Sequence, residues 1–75
     1  MNEKEIIRAA MAAGNITQKE LAEELGMAGQ QSIGNMLSRK NSMRLDNFVK
    51  MLNAMGYDVV VKKKLGASEE WKVEL

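Results

Sequence analysis

The chain predicts a mainly helical fold, four short helices followed by a C-terminal β-strand or hairpin. Three observations carry this expectation. Apolar residues recur at helical spacing through most of residues 3–55, glycines stand where those stretches stop, and after Gly56 the apolar period changes to two.

The first helix is expected over residues 3–13, with Ile7 and Met11 turned inward. Gly14 and Asn15 lead to Ile16, an apolar staple in front of the next helix. That second helix announces itself through Thr17 and, three residues on, Glu20. In such a capping box the hydroxyl accepts from an early backbone N–H and the carboxylate reaches back to the cap's own N–H. Leu21, Ala22 and Leu25 then form one apolar stripe, with Lys19, Glu20, Glu23 and Glu24 on the other faces. Gly26 stops the helix, and Met27 is expected as a buried spacer. A third helix starts near Gly29 or Gln30. Its Ile33, Met36 and Leu37 pack on Leu21 and Leu25, so that Gln30, Gln31, Ser32 and Asn35 point outward. The fourth runs from about Met43 or Arg44 to Met55, with Leu45, Phe48, Val49, Leu52 and Met55 inward and Gly56 as its stop. Seven methionines suit a small, irregular core, because a thioether fills gaps adaptably. Beyond Gly56, Tyr57, Val59 and Val61 alternate with Asp58, Val60 and Lys62, and Trp71, Val73 and Leu75 alternate with Lys72 and Glu74. Two strands about six residues apart suggest a hairpin. The expected organisation is a helical domain over residues 1–56 and a β-element over 57–75.

Composition narrows the function classes. At 75 residues the chain sits near the size where one core is marginally sufficient, so help from a second subunit is expected. It has no Cys and no His, which removes disulfides, thiolate and imidazole metal ligands and nucleophile–base pairs built on them. No carboxylate pair lies among apolar residues that would raise its pKa, so the chain is not expected to be an enzyme or to carry a metal or cofactor. No stretch approaches the roughly 20 apolar residues of a membrane span, and the first residues lack the apolar region of a secretory signal. A cytoplasmic protein with no membrane partner is expected.

Net charge is +1, too little for a protein that holds nucleic acid by bulk attraction alone. Its distribution says more. Residues 1–24 carry a net −2, residues 25–57 a net +3, and residues 58–75 balance. The positive excess falls at the end of the third helix and just after it. There Ser38, Arg39 and Lys40, followed by Asn41, Ser42 and Arg44, could contact phosphates on one side of the amide-rich face. Solvated helix faces are ordinarily built from Glu and Lys; this one presents Gln30, Gln31, Ser32 and Asn35. An amide places a donor beside an acceptor, the pair that matches the N7 and N6 edge of adenine in the major groove. The bland alternative is a set of ordinary surface amides on a helix that merely packs.

A lone two-stranded hairpin is marginal in water. Its apolar residues Tyr57, Val59, Val61, Trp71 and Val73 therefore pack on the bundle of the same subunit or against a second copy. The basic run Lys62 to Lys64 guards a strand edge or touches DNA.

Gln18, Leu21, Ala22, Gly26, Gln30 and Ile33, with the small residue Gly34, together resemble the helix-turn-helix of the lambda repressor and Cro-like, XRE-type regulators. The resemblance covers about residues 5–56. It implies a four-helix, lambda repressor-like DNA-binding domain in which Gln18 braces a phosphate and the helix-starting Gln30, while Gln31 and Asn35 approach base edges. The turn through Met27, Ala28 and Gly29 is one residue longer than is usual in the family, so either Gln30 or Gln31 can hold the helix-starting role. The β-element after Met-Gly-Tyr is similar to that of members which dimerise through a C-terminal strand, including antitoxins. The expected function is sequence-specific transcriptional regulation, read as repression, by a homodimer on a two-fold site in double-stranded DNA. The alternative is an antitoxin that holds a toxin and autoregulates its operon; a small enzyme or ligand-binding domain that uses the helix pair only for packing is the third reading.

Overall fold

The computed structural model describes residues 1–27, 29–65 and 68–75, with Gln30 described by its backbone alone. Four helices come first: α1 (Glu3–Gly14), α2 (Gln18–Glu24), α3 (Gln30–Ser38) and α4 (Leu45–Ala54). Two strands, β1 (Val60–Lys62) and β2 (Glu70–Lys72), follow. The longer turn expected around Ala28 lies outside the described residues.

Local chemistry sets the helix ends. At α2 the Thr17 hydroxyl accepts from the Glu20 N–H at 3.1 Å and the Glu20 carboxylate accepts from the Thr17 N–H at 3.0 Å, completing the expected capping box. The same device starts α1, where Asn2 and Glu5 reciprocate. The spacing of Asn2 and Glu5, three residues apart, is the sequence sign of this second box. Helix stops follow one pattern. After α2, Gly26 takes φ +70° and its N–H bonds Glu23 O, while the Met27 N–H bonds Ala22 O. After α4, Gly56 at φ +92° and Tyr57 repeat the pair of bonds onto Asn53 O and Leu52 O. These paired bonds satisfy carbonyls that a helix end would otherwise leave open, and the positive φ they require is cheap only for glycine or, as at Asn15, asparagine.

The core is formed by Ile7, Ala10 and Met11 of α1, Leu21 and Ala22 of α2, Ile33 and Leu37 of α3, and Met51 and Leu52 of α4. Val49 is also fully buried. Helix α2 packs on α3, and α4 receives both α1 and α2. Six of the seven methionines are buried or lie against the core, in keeping with a gap-filling role; Met1 is exposed. One expectation for α4 needs correction, and one core residue is added to it. Leu45, the first residue of the helix, is 62% exposed. Met51 is buried instead, since a helix gripped from two sides needs a wider apolar stripe than one seam supplies.

The strands pair with each other within the chain, antiparallel, with Val60 opposite Lys72, Val61 opposite Trp71 and Lys62 opposite Glu70. A bond from the Val73 N–H to Val59 O, 2.7 Å, continues the ladder toward the bundle. The regular strands are shorter than the alternation suggested. Tyr57 is not in the ladder at all, because its N–H is committed to the end of α4. Every strand residue is exposed, and the molecule measures 43 Å by 25 Å by 23 Å.

Candidate nucleic-acid interface

The outward side of α3 is polar and, on its exposed surface, uncharged. Gln31 and Asn35 lie one turn apart, both exposed, and Ser38 follows on the same side another turn along. Ser32 is only half-buried rather than fully outward, and its N–H closes the first turn onto Gly29 O. The helix starts at Gln30, with Gly29 as the extended cap residue. The backbone thus gives the helix-starting position to Gln30 and the next one to Gln31.

Gln18, the first residue of α2, is brought against this helix. A Cβ built on Gly34 would stand 3.1 Å from the Gln18 Oε1, so the missing side chain at 34 is what lets the Gln18 amide lie close to α3. Helix α2 therefore supplies an amide beside the row Gln31, Asn35 and Ser38.

Basic residues cluster where α3 ends. Arg39 and Lys40 are exposed, and the Arg39 N–H closes the helix onto Asn35 O at 3.1 Å. Arg39, Asn41, Ser42 and Arg44 line one small concavity of about 30 Å³ together with Met36, Met43 and Asn47. The Arg44 Nε lies 3.2 Å from the Asp46 carboxylate, a solvent-exposed pair of the kind that contributes little and yields easily to a phosphate. Ser38 is less free than its sequence position suggested. Its hydroxyl donates to Gly34 O at 2.7 Å, so donating to a phosphate requires giving up that bond. Asn47, at the rim of the concavity, is a polar group that sequence reasoning missed; nothing in its local pattern marks it.

The hairpin presents a different surface. Residues opposite each other share a face, so Val61 and Trp71 stand together, and Val59 and Val73 continue the same face toward the bundle. Val59 packs against the core and Val73 is half-buried, whereas Val61 and Trp71 are 54% and 62% exposed. Tyr57 lines an apolar groove with Ile6, Ala9, Ala10 and Ala13 of α1. The other hairpin face is charged, with Lys72 between Asp58 at 3.4 Å and Glu74 at 3.9 Å. Lys62 to Lys64 are all exposed.

A Helix-turn-helix family model, of the XRE and lambda repressor-like type, matches residues 7–61, from the middle of α1 into β1. The chain belongs to this family. It is accordingly a DNA-binding transcription regulator of the XRE type, and proteins of this helix-turn-helix family bind double-stranded DNA. The family is regulatory rather than enzymatic. No curated protein and no solved structure matches the chain. Among the described residues, no group of three or more carboxylates is placed to hold a metal ion, and no helix is long and apolar enough to cross a membrane.

Proposed function

We propose that the protein is a sequence-specific regulator that reads the major groove with α3, acting as a homodimer on a two-fold operator, with repression as its output. The observation that carries this reading is the pairing of an uncharged amide face, Gln31 and Asn35, with the basic end of the same helix at Arg39 and Lys40. Amides discriminate between base edges, and cations fix register on phosphates without reading sequence. In this reading Gln30, Gln31, Ser32 and Asn35 meet bases, while Gln18, Ser38, Arg39, Lys40 and Arg44 hold the backbone. A protein seated in the groove excludes other proteins from that DNA, which makes repression the simplest output.

Dimerisation is assigned to residues 57–75. The exposed Val61 and Trp71, with Tyr57, Val59 and Val73 beside them, supply an apolar face that a second copy would cover. Two reading helices should then address half-sites about 34 Å apart, one turn of DNA. The same exposed pair also supports the second reading, an antitoxin whose hairpin holds a protein partner and whose helix pair regulates its own operon. Selection from random DNA, followed by binding at two salt concentrations, tests the proposal. A two-fold consensus bound with a steep loss of affinity in salt is expected; binding that depends on neither sequence nor salt would overturn it.

A further inference from the structure

Helix α1 takes no part in the reading face, yet it holds the basic segment at both ends. The Arg8 guanidinium donates through Nη2 to Leu37 O at 3.1 Å, and the Glu3 carboxylate accepts from the Met43 N–H at 3.2 Å. Among the described residues these are the only side-chain hydrogen bonds that join positions more than four apart in sequence. Leu37 lies in the last turn of α3, and Met43 lies two residues before α4 begins. Between the two anchors run Ser38, Arg39, Lys40, Asn41 and Ser42. Both bonds are to backbone atoms, so they fix the path of the chain rather than any one side chain. The Arg8 cation also lies at the negative end of the α3 dipole, where a positive charge is favoured. Glu3 is held below the ordinary carboxylate range by its own N–H and then by that of Met43, with Lys4 adding to the effect.

We propose that Glu3 and Arg8 are positioning residues for DNA binding, a two-point brace by which α1 sets the path of residues 38–43 and so aims Arg39 and Lys40. The assignment rests on the reading above that this segment meets the DNA backbone. It has a consequence that plain electrostatics reverses. Glu3 is an anion, so removing its charge should on Coulombic grounds tighten binding to DNA. Losing its bond to Met43 should instead loosen the segment and weaken binding.

Full-length Glu3→Ala, Glu3→Gln, Arg8→Ala and the unaltered chain would be compared on selected and on random duplex DNA, with helix content monitored by circular dichroism. Amide exchange of Met43 and of Arg39, whose N–H groups lie near the two ends of the segment and bond Glu3 and Asn35 O, would be followed in the free proteins. Glu3→Ala should bind both DNAs about two- to tenfold more weakly, the range commanded by one net hydrogen bond, and should speed exchange at Met43. Arg8→Ala should also weaken both, with faster exchange at Arg39. Glu3→Gln loses the same charge from the start of α1 but keeps an acceptor oxygen, so it should bind at least as well as the unaltered chain. Equal or tighter binding by Glu3→Ala would overturn the brace, as would a Gln variant no better than the Ala variant. Failure of the unaltered chain to bind any DNA would instead overturn the reading on which the brace rests.

Discussion

The helix pair α2 and α3 and the hairpin β1 and β2 are opposites in construction. The pair is dry inside, with Leu21, Ala22 and Ile33 at most 1% exposed, and a reciprocal cap holds its first turn. In the hairpin every strand residue is exposed, and its closest partnership with the bundle is the packing of Val59. An element that presents side chains to a rigid groove must itself be rigid, and burial provides that. An element with an uncovered apolar face has spare surface for a partner. In the proposed reading, recognition of DNA falls to the first region and association to the second.

Core truncation separates the two regions most sharply. Ile33→Ala should destabilise the chain by about 2–5 kcal/mol, since it removes buried methyl groups and leaves a cavity under the reading helix. Trp71→Ala should leave the midpoint of a dilute thermal melt almost unchanged, and sedimentation equilibrium should show a weaker dimer. Comparable losses in monomer stability would erase the contrast. Thr17→Ala breaks one half of the cap and should cost about 1 kcal/mol in denaturant unfolding, confined to the helix pair as judged by amide exchange.

Gly34→Ala should split stability from binding. Alanine in a helix interior favours folding by up to about 1 kcal/mol over glycine. The added Cβ, however, must push the Gln18 amide from its 3.1 Å approach. Equal or higher stability with weaker DNA binding is expected; unchanged binding would remove Gln18 from the interface.

The smallest effect concerns acid. Glu20 is held below its ordinary value of 4.5 by the N–H and the hydroxyl of Thr17. A carboxylate whose pKa is lower in the folded state contributes stability above its unfolded value, and that contribution is lost as pH falls through the folded one. Unfolding followed from pH 6 downward should thus show stability declining below about pH 4.5. Glu20→Gln should make that decline shallower.

What the sequence made legible was local. Thr17 with Glu20, Gly26 and Gly56 mark helix ends through bonds made within a few residues, and all of these form as expected. The amide face was legible because period 3.6 places Gln31 and Asn35 together whatever surrounds them. The exposure of Leu45 and the burial of Met51 are not legible locally because they depend on which helices press on α4, a tertiary fact. The strand ends were overextended for a related reason: alternation counts Tyr57 as strand, but its N–H is already committed to the end of α4. The bonds from Glu3 and Arg8 span 40 and 29 residues, beyond the reach of any local pattern.

The central claim is that α3 reads sequence through amides while the basic segment after it only holds DNA. Binding of Gln31→Ala to the preferred duplex and to random DNA tests this most directly. A loss of about 1–3 kcal/mol on the preferred duplex with little change on random DNA is predicted, whereas Arg39→Ala should weaken both and flatten the salt dependence. Equal losses on the two DNAs for Gln31→Ala would contradict the account.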